Sequence, residues 1–288
     1  MASEDSATRL EIAGHSDGAA VESTSSAAVL DFAVLPFELS TASKAEGRTQ
    51  LSKWGLSQRL TCARFRLRER FDPDPAASHA FLLDFFNSKA TRSHFAPFTA
   101  ATQPKSAPLT GLVTRVAFRR LSTTVTDMAW FGRFAAAGVV TAEIGTGRVR
   151  AQMEEVYDGA TIADSFREAL ANADSEHADL YSPDERCELV FRVLRLVAVG
   201  GAMMQWEDEI GPYLDATRSI YRDLVTVVRA PSGAIEVASH AFEVSALEGE
   251  GVSTPLFPSS SPHHACWVVV DPVKAQVTLL YHAWVPFW

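Results

Sequence analysis

The stretch SPDERCELVFRVLRLVAVGG, residues 182–201, constrains the fold of this chain more than any other. At about 100° per residue, Leu189, Val190, Phe191, Val193, Leu194, Leu196, Val197 and Ala198 wrap most of a helix, leaving a narrow polar strip of Glu185, Glu188, Arg192 and Arg195. A helix that apolar needs cover on most sides, so it belongs at the centre of a core. Ser182 is placed to accept first-turn amides, Pro183 fits the first helical position, and Glu185 completes a capping box, so the helix is predicted to start at Ser182. Gly200 and Gly201 close it, and a second helix is predicted to run toward Val228. Cys187 falls on the apolar side, where a thiol packs and does not react.

The flanking segments supply partners for that helix. VLDFAVLPF, opening at Val29 and stopped by Pro36, reads as a strand, and Ser43 to Leu60 reads as a short amphipathic helix broken at Gly55. RLTCARFRLRERF alternates with a slip around Ala63, setting Leu60, Cys62, Phe65 and Leu67 near one side and Arg59, Arg64, Arg66, Arg68 and Arg70 near the other. That basic face is either a docking surface for acidic protein or RNA, or, as the lack of interleaved aromatics favours, a solvated strand face. Helices are predicted over Ala76 to Lys89, over MAWFGRFAAA from Met128, and over Ile162 to Ala171, with a strand at LVTRVAFRRL. After Val228 the chain turns to strands: a hairpin around RAPSGA, then AFEVSA, and a last hairpin, CWVVV and QVTLLYHAW, around DPVKA. Helices early and strands late predict an α+β fold. It is a single globular domain over 28–288, a central apolar helix on a largely antiparallel sheet, with flexible loops near 97–110 and 247–264. Residues 1–27 hold few large apolar side chains and read as a disordered N-terminal tail.

Composition narrows the function classes. A formal net charge of -9 argues against general affinity for nucleic acid or anionic membrane. The 3 cysteines lack metal-ligand or redox spacing, and no apolar run is long enough to span a bilayer. The N-terminus lacks a basic, apolar leader, so a soluble chain in a reducing compartment is expected. His263-His264-x-Cys266, with His240 or His282 as a further ligand, lacks the paired clusters of a zinc site, so no metal and no cofactor are expected. Gly145-x-Gly147 lacks the third glycine of a dinucleotide fingerprint. The adjacent acids Glu207, Asp208 and Glu209 point in different directions and define no facing carboxylate pair. No nucleophile, phosphate-loop or zinc-hydrolase motif is present, and no catalytic residue is assigned.

Several pieces together resemble one family. SPDE at Ser182, the Gly200-Gly201 pair, QWED at Gln205, PYL at Pro212, IYRDLV at Ile220, FEVSA at Phe242, VVDPV at Val269 and LYH at Leu280 occur in the order found in the cilia- and flagella-associated protein 300 family. FAVLPF at Phe32 and LSKW at Leu51 are similar to that family's N-terminal strand and helix. The resemblance implies a non-enzymatic factor for the assembly or ciliary delivery of axonemal dynein arms. Its implied partners are other axonemal dynein assembly factors and intraflagellar transport trains, in the cytoplasm and the cilium. A structural axonemal component is the near alternative. A small-molecule enzyme or sensor using His240, His282, Asp208 or Cys266 is the distant one.

A factor of that kind needs a stable scaffold and a partner patch. Trp206, Glu207, Asp208, Tyr213, Tyr221 and Arg222 are the candidates, because aromatic and arginine anchors dominate interface energies. The competing reading is that Trp206, Tyr213 and Tyr221 pack the helix pair against the sheet.

Overall fold

The strand Ala265–Asp271 is buried at every position, and its residues divide between two cores. Ala265, Trp267 and Val269 enter one core, while Cys266, Val268 and Val270 enter the other. A strand covered on both faces requires consecutive apolar residues, which is why ACWVVV does not alternate. The computed structural model describes residues 30–99, 105–141, 147–201 and 204–286. The predicted tail over 1–27 and the turn at Gly145 lie outside the described residues.

The strands in chain order are β1 (Phe32–Leu35), β2 (Leu60–Leu67), β3 (Leu112–Leu121), β4 (Ala151–Tyr157), β5 (Ala160–Asp164), β6 (Val227–Arg229), β7 (Ile235–Val237), β8 (His240–Glu250), β9 (Ala265–Asp271) and β10 (Gln276–His282). A 6-stranded antiparallel sheet in the order β1-β2-β10-β9-β8-β3 forms the centre, with β4-β5 and β6-β7 as separate hairpins. The helices are α1 (Ser40–Ser43), α2 (Ala45–Lys53), α3 (Pro75–Asn87), α4 (Lys89–His94), α5 (Arg133–Ala136), α6 (Ser165–Ala171), α7 (Leu189–Val199) and α8 (Gly211–Leu224). Among them α2, α6, α7 and α8 share a core with one face of the sheet, and α3 supplies Phe81, Leu82, Phe85 and Phe86 to the other. The α+β class and the central apolar helix are as predicted, and among the described residues no helix is long and apolar enough to cross a membrane.

The structure corrects the start of that helix. Ser182 and Glu185 do exchange the reciprocal bonds of a capping box, at 2.9 and 3.2 Å, but they close only a 3-10 turn over Glu185–Cys187. Glu188 is extended (φ -65, ψ 133), and α7 begins at Leu189. The cause is the end of β3: Ser122 N–H donates to the Cys187 carbonyl and Leu189 N–H to the Ser122 carbonyl, while the Thr124 N–H and hydroxyl bind the Glu188 carboxylate. Tertiary hydrogen bonds thus override a local start signal. Glu188 leaves the polar strip, so Arg192 and Arg195 lose the acidic companion the periodicity gave them.

The basic strand face is corrected as well. With both faces of the sheet covered, Ala63, Phe65 and Leu67 turn to one core and Leu60 and Cys62 to the other. Arg64 follows Cys62. Its guanidinium lies 3.6 Å from the Phe37 ring centre and donates to the Thr278 hydroxyl and the Asp223 carbonyl. Arg66, Arg68 and Arg70 remain exposed. The helix predicted from Ile162 starts only at Ser165, capped by the Asp164 carboxylate, because residues 160–164 pair with β4 through an Asp158-Gly159 turn.

Candidate functional site

The Gly200-Gly201 pair sets the geometry of the connection between α7 and α8. Gly200 has φ +62, where a side chain is strained, and a Cβ there would lie 2.6 Å from the Trp54 carbonyl oxygen. A Cβ on Gly201 would lie 2.3 Å from the Gly55 carbonyl oxygen. Two backbones therefore cross in contact, and Gly201 N–H donates to Trp54 O at 2.8 Å and Gln205 N–H to Lys53 O at 2.8 Å. The crossing ties α7 to the end of α2 and turns the QWED run to the surface.

That run splits by direction. Glu207 points inward, holding Lys53 Nζ at 2.7 Å and accepting from Trp54 Nε1 at 3.1 Å, while its own N–H donates to the Tyr213 hydroxyl. Asp208 and Glu209 point out, Asp208 lying 3.8 Å from an exposed Arg148. Trp206 is 38% exposed. One face of its indole is covered by the Arg167 guanidinium at 4.3 Å. Arg167 is itself buried, locked to Asp164 by a 2.5 Å ion pair and to the Thr161 carbonyl. The junction thus presents a half-exposed tryptophan beside an outward carboxylate.

The six candidate patch residues do not form one surface. Tyr213 packs between Trp54 and Phe166 at ring distances of 5.2 and 5.9 Å, and Tyr221 is buried with its hydroxyl on the Val125 carbonyl. Burial pushes both phenols above their ordinary range. These two tyrosines pack α8, as the competing reading had it. Trp206, Glu207 and Asp208 stay together at the junction, and Arg222 is exposed elsewhere on α8, lining a groove with Val227 and Ile235.

The residues considered for catalysis are dispersed. His282 and Cys266 lie on paired strands but on opposite faces of the sheet, since His282 follows Leu280 and Cys266 faces the other core with Tyr281. His240 sits against Phe71, with Arg120 at 2.6 Å from its Nδ1. Burial lowers His282 to about 3 and raises Cys62 to about 12, and it pushes Cys266 up further still. Thiols held protonated are not nucleophiles at neutral pH. His264 is spent on the Trp284 N–H and the Ser259 carbonyl, and His263 stands edge-on to Trp284. Among the described residues no group of three or more His, Cys, Asp or Glu is placed to hold a metal ion.

Sequence reasoning missed two features: the clamp of Arg167 on Trp206, and a cleft beside α7 that holds Arg192 and Arg195. The clamp joins residues far apart in the chain and left no local signal. The cleft left one, an i, i+3 arginine pair in an otherwise apolar helix, concealed by assigning Glu188 to the same strip.

The family model described as cilia- and flagella-associated protein 300 matches residues 29–282. A protein of that description from Chlamydomonas reinhardtii is 30% identical over 242 residues, covering 84% of this chain and 92% of that protein. One from Paramecium tetraurelia is 28% identical over 241 residues, covering 83% and 87%. No solved structure matches.

Proposed function

The chain belongs to the cilia- and flagella-associated protein 300 family, and from that premise we propose that it is a non-enzymatic factor for the assembly or ciliary delivery of axonemal dynein arms, needed for ciliary motility. The observation that carries the proposal is the span of the match, 29–282, which takes in nearly all of the described scaffold. The geometry supports it in kind. His282 and Cys266 lie on opposite faces of the sheet, whereas the α7–α8 junction carries Trp206 and Asp208 at the surface beside a close backbone crossing. Other dynein assembly factors and transport trains are the partners this reading assigns to that surface, in the cytoplasm and the cilium.

Extraction of tagged protein from ciliated cells tests the role against that of a structural axonemal part. A pool in the detergent-soluble cytoplasm, released from axonemes by salt, is expected. Retention on axonemes through high salt, with no soluble pool, contradicts the proposal.

A further inference from the structure

β8 leaves its neighbour halfway along. Its first residues pair with β9 up to Glu243 opposite Trp267, but from Val244 to Glu250 it is paired only with β3. The side of β8 that β9 abandons opens into a cleft of about 730 Å³, closed on the far side by the segment 255–262. Among the described residues no backbone hydrogen bond joins residues 244–247 to that segment. An open strand edge inside a cleft is a template for another strand.

The cleft has two unlike faces. From the α7 side come Arg192 and Arg195; from the other side come Leu247, Leu256 and Phe257, which belong to the second core. Neither arginine has a carboxylate within 4.0 Å among the described residues. Arg195 is held by the Pro262 carbonyl at 2.9 Å and His263 at 3.4 Å, and Arg192 reaches only the Cys187 thiol at 3.9 Å. The buried Nε atoms of both are without a hydrogen-bond partner. Arg119 also lines the cleft and has engaged the single acid there, Glu243, which further accepts from Trp267 Nε1. Three arginines therefore face one carboxylate, in a chain whose formal net charge is -9. Unpaired, partly buried guanidinium groups are costly unless an anion completes them. In agreement, Arg195 is depressed to about 10, first by burial and then by Arg192.

We infer that this cleft binds an extended acidic peptide, which adds as a strand to the open edge of β8 and sets its carboxylates on Arg192 and Arg195. Side chains of an added strand alternate between the two faces. Every second residue meets the arginines and the residues between meet Leu247, Leu256 and Phe257, so the preferred sequence alternates acidic with apolar residues. The site stands independently of any role in dynein arm assembly, because it is read from geometry and charge alone.

Fluorescence anisotropy with the full chain and a short dye-labelled peptide alternating Val and Glu tests it. Saturable binding is expected, weakening with salt, with no binding of the same peptide carrying Lys for Glu. Arg195→Gln and Arg192→Gln are each expected to weaken it about tenfold or more at unchanged Tm. A peptide methylated on alternate backbone nitrogens, which cannot pair with the edge, is expected to lose binding to a similar degree. This ligand-side control holds even if an arginine variant fails to fold. Equal binding of the acidic and basic peptides, undiminished binding of the methylated one, or no binding at all overturns the inference. Inorganic phosphate that binds as tightly as the peptide also overturns it, in favour of a small-anion site.

Discussion

Gly201 is the residue at which sequence and structure meet most directly. The pair Gly200-Gly201 stands out in the sequence as a helix stop, but the contact that demands it, the Trp54-Gly55 backbone, comes from a helix far away in the chain. A Gly201→Ala substitution drives a methyl into the Gly55 carbonyl and is expected to cost about 2 kcal/mol, within the range for overpacking. Urea unfolding measures it, and an unchanged midpoint contradicts the crossing. Trp206 and Tyr213, grouped together by sequence as aromatic candidates, separate by what they touch. Tyr213→Phe leaves the Glu207 N–H without its acceptor and should lower stability by about 1 kcal/mol. Trp206→Ala removes a side chain already 38% exposed and should leave Tm within about 2 °C while reducing partner recovery in a pull-down. A matching loss of stability for Trp206→Ala places it with the core instead.

Among the elements, those whose apolar pattern is set by their own burial were legible: α3 with its phenylalanine stripe, the doubly covered β9 and β10, and the body of α7. Those whose limits depend on a distant partner were not. The capping box at Ser182 is real, but β3 holds Glu188 extended and moves the start of α7 to Leu189. The β4-β5 hairpin was missed although its Asp158-Gly159 turn is a strong hairpin signal, because β4 is exposed at Met153 to Val156 and shows no alternation. The β3 clamp makes a prediction for α7. Glu188→Ala removes the acceptor of the Thr124 N–H and hydroxyl, and should cost about 1–3 kcal/mol. Hydrogen exchange should then show faster opening of the first turn of α7, with Leu196 to Val199 little changed. Uniform change along the helix means that Glu188 does not anchor its start.

For the whole molecule, the histidines gathered around the sheet tie stability to pH. Burial depresses His263 to about 4 and His282 to about 3, and lowers His240 and His264 as well, from an ordinary value of 6.5. The unfolded chain takes up these protons below pH 6.5 while the folded chain does not, so stability is greatest above that value and falls with acid. The loss is about 1.4 kcal/mol per pH unit for His263 and for His282 between pH 6.5 and each folded value, and is complete for His263 near pH 4. Urea midpoints measured down a pH series should show this slope, reduced in His263→Gln. A flat profile above pH 5 contradicts buried, neutral imidazoles. In this scaffold Cys266 and His282 are buried in the sheet and the α7–α8 junction carries Trp206 and Asp208 at the surface. The most direct test is electron microscopy of axonemes from a null strain of a ciliated cell, rescued by the full chain. Doublets that keep their arrangement but lack dynein arms are expected, with arms and beating restored by rescue; normal arms in the null strain would contradict the proposed role.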